Sequence, residues 1–114
     1  MAKLRYFSAS VERSVSAPRA AAWDEAVAMA RRVFADAVDV SVESPWRFVY
    51  EMPSGSRGLG LWQGTLLLRD DGEACHVAWS LVLHPEPADV VTEQAPLILS
   101  QMESGLDEVV HRFA

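Results

Sequence analysis

Three glycines surround a tryptophan in GLGLWQG, residues 58 to 64. Glycines so spaced can close backbone amides on a phosphate, but only where a strand turns through them into a helix N-terminus. Here they run into TLLLRDDG, a strand followed by the hairpin signal Asp71-Gly72. A nucleotide loop is therefore not expected. The reading that remains is a bend, a bulge or the close approach of another group, with Gly64 adding room to any cavity it faces. Cys75-His76 sets a thiol beside an imidazole, as a nucleophile and its base would be. Neighbours on a strand point to opposite faces, so this dyad is rejected. His84 precedes a proline at a strand end, and His111 falls on a last helical turn. The histidines lack spacing such as HExxH, and a lone cysteine makes no thiolate cluster, so neither metal nor cofactor is expected. Asp70-Asp71 belongs to a turn and reads as solvated.

Two polar groups fall on otherwise apolar stripes. Arg13 shares a side of the first strand with Phe7, Ala9, Val11 and Val15. Its guanidinium suits a ligand carboxylate or enolate inside a cavity, or else water or an acidic neighbour at the sheet end. Tyr50 alternates with Trp46, Phe48 and Met52, and a buried hydroxyl needs a partner and can orient a ligand. Alternation brings Trp62 and Trp79 towards the same face, and Leu99 and Met102 lie on the final helix. Flat rings and a mobile thioether suit a cavity for apolar, planar molecules, or simply fill a core. The inward stripes hold no carboxylate or histidine to act as general acid or base, which favours binding over turnover. Cyclisation, however, can depend largely on folding a reactive chain correctly.

These side chains depend on elements that the spacing outlines. Leu4 to Ala17 alternates as a strand with one wet side. Ser16 is the expected cap and Pro18 the first turn of a helix whose stripe is Trp23, Val27, Ala30 and Phe34. VDVSVE, WRFVYEM, LGLWQGTLLLRD and EACHVAWSLVLH read as strands, the last two joined by the hairpin at Asp71-Gly72. From about Thr92, the expected cap, to Phe113 the pattern is helical, with Pro96 in the first turn. The order predicts an α+β domain.

The chain has 114 residues, which points to a single domain over 1–114 with a core of its own. Half of the residues are apolar and the formal charge is −6. With the arginines scattered, nucleic acid is excluded as a partner. No stretch reaches the roughly 18 apolar residues of a membrane span. MAKLRYFSASVERS lacks the apolar run of a secretory signal. A soluble, cytoplasmic protein is expected.

VERSVSAPRAAAWDEAV, with a strand, Ala17-Pro18 and then Trp23 in a helix, resembles the opening of the START-like (SRPBCC) superfamily of polyketide cyclases, dehydrases and lipid-transfer proteins. SVESPWRFVYEM, GTLLLRDDGEACHVAWSLVLHPEP and the final amphipathic helix follow the same order. The resemblance implies a helix-grip fold, an antiparallel sheet curled around the C-terminal helix with a pocket for an apolar ligand between them. Its walls would be Phe48, Tyr50, Trp62, Trp79, Leu99 and Met102, with Arg13 and Tyr50 as polar contacts. Three functions follow: a binder of an apolar or aromatic small molecule, lipids included; an aromatase, cyclase or dehydratase working through Tyr50 and Arg13; or a non-catalytic interaction module. The sequence departs from the family by being short. Residues 33 to 39 leave little room for the second helix and extra strand that usually follow the first helix. An exposed sheet edge would favour a homodimer.

Overall fold

A computed structural model of the chain describes residues 5–114. The expected beginning of the first strand at Leu4, and the opening of the segment read for a secretory signal, lie outside them. β1 (Phe7–Val15) leads into α1 (Arg19–Val33), then β2 (Val38–Glu43), β3 (Arg47–Glu51), a short turn at Ser56–Gly58, β4 (Trp62–Asp71), β5 (Ala74–Leu83) and α2 (Ala88–Arg112). The strands form one antiparallel sheet in the order β1-β5-β4-β3-β2. It curves around the long C-terminal helix, the α+β helix-grip architecture expected. Among the described residues, no helix is long and apolar enough to cross a membrane.

Period-two alternation sets the inner face. One cross-strand row runs Val11, Trp79, Leu66, Phe48, and the next runs Ala9, Leu81, Gly64, Tyr50. Apart from half-buried Ala9, these side chains are buried. Burying one large apolar side chain contributes about 1.5–3 kcal/mol. Both helices cover this face. α1 turns Trp23, Ala26, Val27, Met29 and Ala30 inward, and α2 turns Ile98, Met102, Leu106 and Val109 inward. The helices meet at Gly105, where a Cβ would stand 2.5 Å from Met29 Sδ. Met29 occupies the notch that the missing side chain leaves.

Four local expectations are corrected. Ser16 does not cap α1; Pro18 is the boundary residue and offers no side-chain bond. The cap comes from Asp70, whose Oδ1 accepts the Arg19 backbone N–H at 2.8 Å and whose Oδ2 lies 3.3 Å from Arg19 Nε. Asp70 is therefore engaged rather than merely solvated. α2 begins at Ala88, with Pro87 at its boundary, so Thr92 and Pro96 lie inside it. The proline removes the bond to the Thr92 carbonyl, and both residues face solvent. Trp46 does not join Phe48 and Tyr50. Its N–H donates to the Glu43 carbonyl at 2.9 Å, which closes a turn and starts the strand's alternation only after it. The ring lies, 43% exposed, on the outer face near Leu67, Arg69, His76 and Ala78. The connection between α1 and β2 spans only residues 34–37, and β2 forms one edge of the sheet, with β1 at the other.

Candidate functional site

Alternation in β3, β4 and β5 gathers Phe48, Tyr50, Trp62 and Trp79 into one inner layer, and α2 sets Met102 in the same core. All five are at most 1% exposed. The layer is filled from below by Phe34, which follows the last residue of α1. Its ring centroid lies 5.1 Å from Trp62, 5.7 Å from Trp79 and 6.1 Å from Tyr50. The Tyr50 hydroxyl accepts the Trp79 Nε1–H at 3.0 Å. Gly64 faces inward, and it gives its room to Tyr50 rather than to a cavity. A Cβ there would meet the tyrosine's Cζ at 2.1 Å. The space expected to hold a guest beneath α2 is thus occupied by these side chains.

The remaining two expected site residues stand elsewhere. Arg13 Nε donates to Asp107 Oδ1 at 2.8 Å, and another of its nitrogens donates to the Glu12 carbonyl at 2.8 Å. This pins the guanidinium to α2 at the flank of the sheet. Leu99 is half-buried and lines a surface pocket of about 350 Å³ with Phe7, Val91, Ala95 and Pro96. Cys75 is buried, while His76 on the opposite face lies 3.5 Å from Glu12. Burial, then the Asp70 charge, raises the Cys75 pKa. Burial likewise pushes the Tyr50 phenol well above the ordinary tyrosine range, against a smaller lowering from the Trp79 bond. No cluster of three metal-ligating side chains occurs among the described residues.

At one end of the sheet the surface dips against the edge of the buried aromatic layer. A pocket of about 230 Å³ opens there, lined by Phe34, Asp36, Met52, Ser56, Arg57 and Trp62, among others. The turn before β4 shapes it. Gly55 and Gly58 take φ of 89° and 77°, and Arg57 between them takes φ of 53°, a left-handed conformation that costs a side-chain-bearing residue energy. Ser56 Oγ fastens the turn by donating to the Pro53 carbonyl at 2.7 Å. The Arg57 guanidinium lies 5.4 Å from the Trp62 ring centroid, in cation–π range. Trp62 Nε1 is buried and has no hydrogen-bond partner among the described residues. Sequence reasoning missed this mouth. Phe34 read as one more member of a helical stripe, and Arg57 was not among the candidate residues. The available signal was a bulky cation held between glycines shortly before a tryptophan.

No family model matches the sequence, and no curated protein matches it. Solved structures do resemble it. The di-domain ARO/CYC protein BexL, from the BE-7585A biosynthetic pathway, gives a TM-score of 0.69 at 12% identity over 92% of this chain and 45% of its own. A START superfamily protein from Mycobacterium smegmatis gives 0.66 at 9% identity over 96% of this chain and 100% of its own. A norcoclaurine synthase point mutant from Thalictrum flavum, in complex with a transition-state analogue, gives 0.65 at 13% identity over 98% of both chains. Likeness at such identities carries the fold alone.

Proposed function

Starting from a START-like fold, we propose that this protein binds a small, flat, largely apolar molecule at the mouth between the end of α1 and the turn before β4. The observation that carries this reading is the pocket of about 230 Å³ whose walls include Phe34 and Trp62, rings that also belong to the interior aromatic layer. Ligand pockets for drug-sized molecules run to roughly 300–1,000 Å³, so the guest is limited to one or two rings. Its apolar body would lie against Phe34, Met52 and Trp62. The ARO/CYC protein and the norcoclaurine synthase among the structural neighbours lend support to a small-molecule role. Binding is favoured over cyclase- or dehydratase-type turnover because Tyr50 is engaged by Trp79 and Arg13 by Asp107. Those two groups do not converge on one substrate position.

The test is a two-dimensional amide NMR titration with 2-naphthalenemethanol, an uncharged bicyclic probe. The expected result is saturable shifts at the Phe34 and Met52 amides and at the Trp62 indole N–H. Absence of saturable shifts up to the probe's solubility, or shifts confined to the outer face around Trp46, would overturn the reading. That outcome would leave the interaction module, which the filled interior favours.

A further inference from the structure

We infer that the molecule taken at this mouth is a monocarboxylate, its charged end received by Arg57 and the Trp62 indole N–H; this rests on the binding reading above. Three observations converge. Trp62 is 1% exposed, and its Nε1 is a buried donor with no partner among the described residues. Leaving such a donor unmet is costly, and an acceptor brought by a ligand would recover that cost. Arg57 is an exposed cation placed at the same pocket. Arg13, Arg19, Arg31, Arg32, Arg47 and Arg112 are held in ion pairs, whereas Arg57, like Arg5 and Arg69, joins none among the described residues; of these three only Arg57 lines this pocket. Its backbone is also held in a strained conformation between two left-handed glycines, which directs this one side chain over the tryptophan. Strain of this kind persists where the surroundings enforce it and concentrates at ligand clamps.

A carboxylate pairing with the Arg57 guanidinium at this pocket would bring an acceptor to a site that Trp62 also lines. Asp36 shares the lining, so a second negative charge on the ligand would meet repulsion. The ligand class is accordingly a small aromatic or alicyclic acid with one carboxylate.

The test compares 2-naphthoate with 2-naphthalenemethanol, alike in ring system but different in charge, by calorimetry and by NMR of the Trp62 indole N–H. The expected result is at least a tenfold preference for the acid, weakened by added salt, with a downfield shift of the indole proton. Naphthalene-2,6-dicarboxylate should bind more weakly than 2-naphthoate. In Arg57→Gln the ratio of acid to alcohol affinity should fall to near unity, whatever change the substitution makes to the two affinities together. Arg57→Gly, which suits the left-handed backbone, should behave like Arg57→Gln and so guards against misfolding as the cause. Equal binding of acid and alcohol, or a preference that survives both substitutions, overturns the carboxylate inference and leaves the binding function standing. Failure of both probes to bind overturns the two together.

Discussion

Tyr50 and Trp79 form a hydrogen bond inside a layer of rings, where each is the other's means of satisfying a buried polar atom. Replacing Tyr50 with phenylalanine leaves the Trp79 indole N–H unmet at a cost of about 1–3 kcal/mol. Tyr50→Phe should therefore lower the urea midpoint. The double variant Tyr50→Phe/Trp79→Phe should lose less than the sum of the single changes, and full additivity would show that the bond contributes nothing. The same hydroxyl sets an alkaline limit. Its pKa in the folded state is raised above the ordinary value of 10.0, so folded protein keeps the proton that unfolded chain releases. The stabilisation is complete below pH 10 and declines as pH rises beyond it, by up to about 1.4 kcal/mol per pH unit. Denaturant curves between pH 10 and 12 should fall more steeply for wild type than for Tyr50→Phe. Parallel curves would refute the assignment.

Among the elements, the contact of α1 with α2 depends on one absent side chain. Gly105→Ala would press a methyl group into Met29 Sδ and approach Val33 at 3.2 Å. Overpacking of a fitted core costs about 1–3 kcal/mol, although alanine's better helix propensity returns up to about 1 kcal/mol. A net loss of stability is expected on denaturation, and Gly105→Ala combined with Met29→Ala should lose less than the sum of the two single changes. The helices were legible in the sequence because Trp23, Val27, Ala30 and Phe34, and likewise Met102, Leu106 and Val109, repeat at helical steps. Their ends were less so. Ser16 and Thr92 are good local caps, yet Pro18 and Pro87 mark the boundaries, and the donor at Arg19 is met by a residue 51 positions away. Local pattern cannot register a partner supplied by tertiary structure.

For the whole molecule, the β2 edge of the sheet is open to other chains. Val38, Val40 and Val42 on β2 are 59%, 53% and 49% exposed. The strand's acids are already matched, Asp39 by Arg31 at 2.6 Å and Glu43 by Arg47 at 3.1 Å. Antiparallel pairing of two copies about Val40 would set Val38 against Val42 and Asp39 against Ser41, with no like charges opposed. The register irregularity between Asp39 and Ser41 blunts this edge, so association is expected to be weak. Sedimentation should show dimers at high protein concentration that Val40→Lys abolishes. A chain that remains monomeric throughout would dispose of the expectation. The same β2, β3, β4 and β5 were readable from alternation and from Asp71-Gly72, whereas the filled interior was not. Periodicity says that Tyr50 and Gly64 face inward, but not that one ring lies across the other's backbone. Nor does it reveal that Arg57 would adopt a left-handed backbone, since that depends on closure of the whole turn.

The Asp70 carboxylate, reaching from the end of β4 to the first amide of α1, ties the opening of that helix to events far along the chain. The helix start gains its anchor only after the β4–β5 hairpin has closed, so the two should come apart as one cooperative unit. In native-state hydrogen exchange, the Arg19 amide should share its opening free energy with the hairpin amides, and Asp70→Ala should uncouple them.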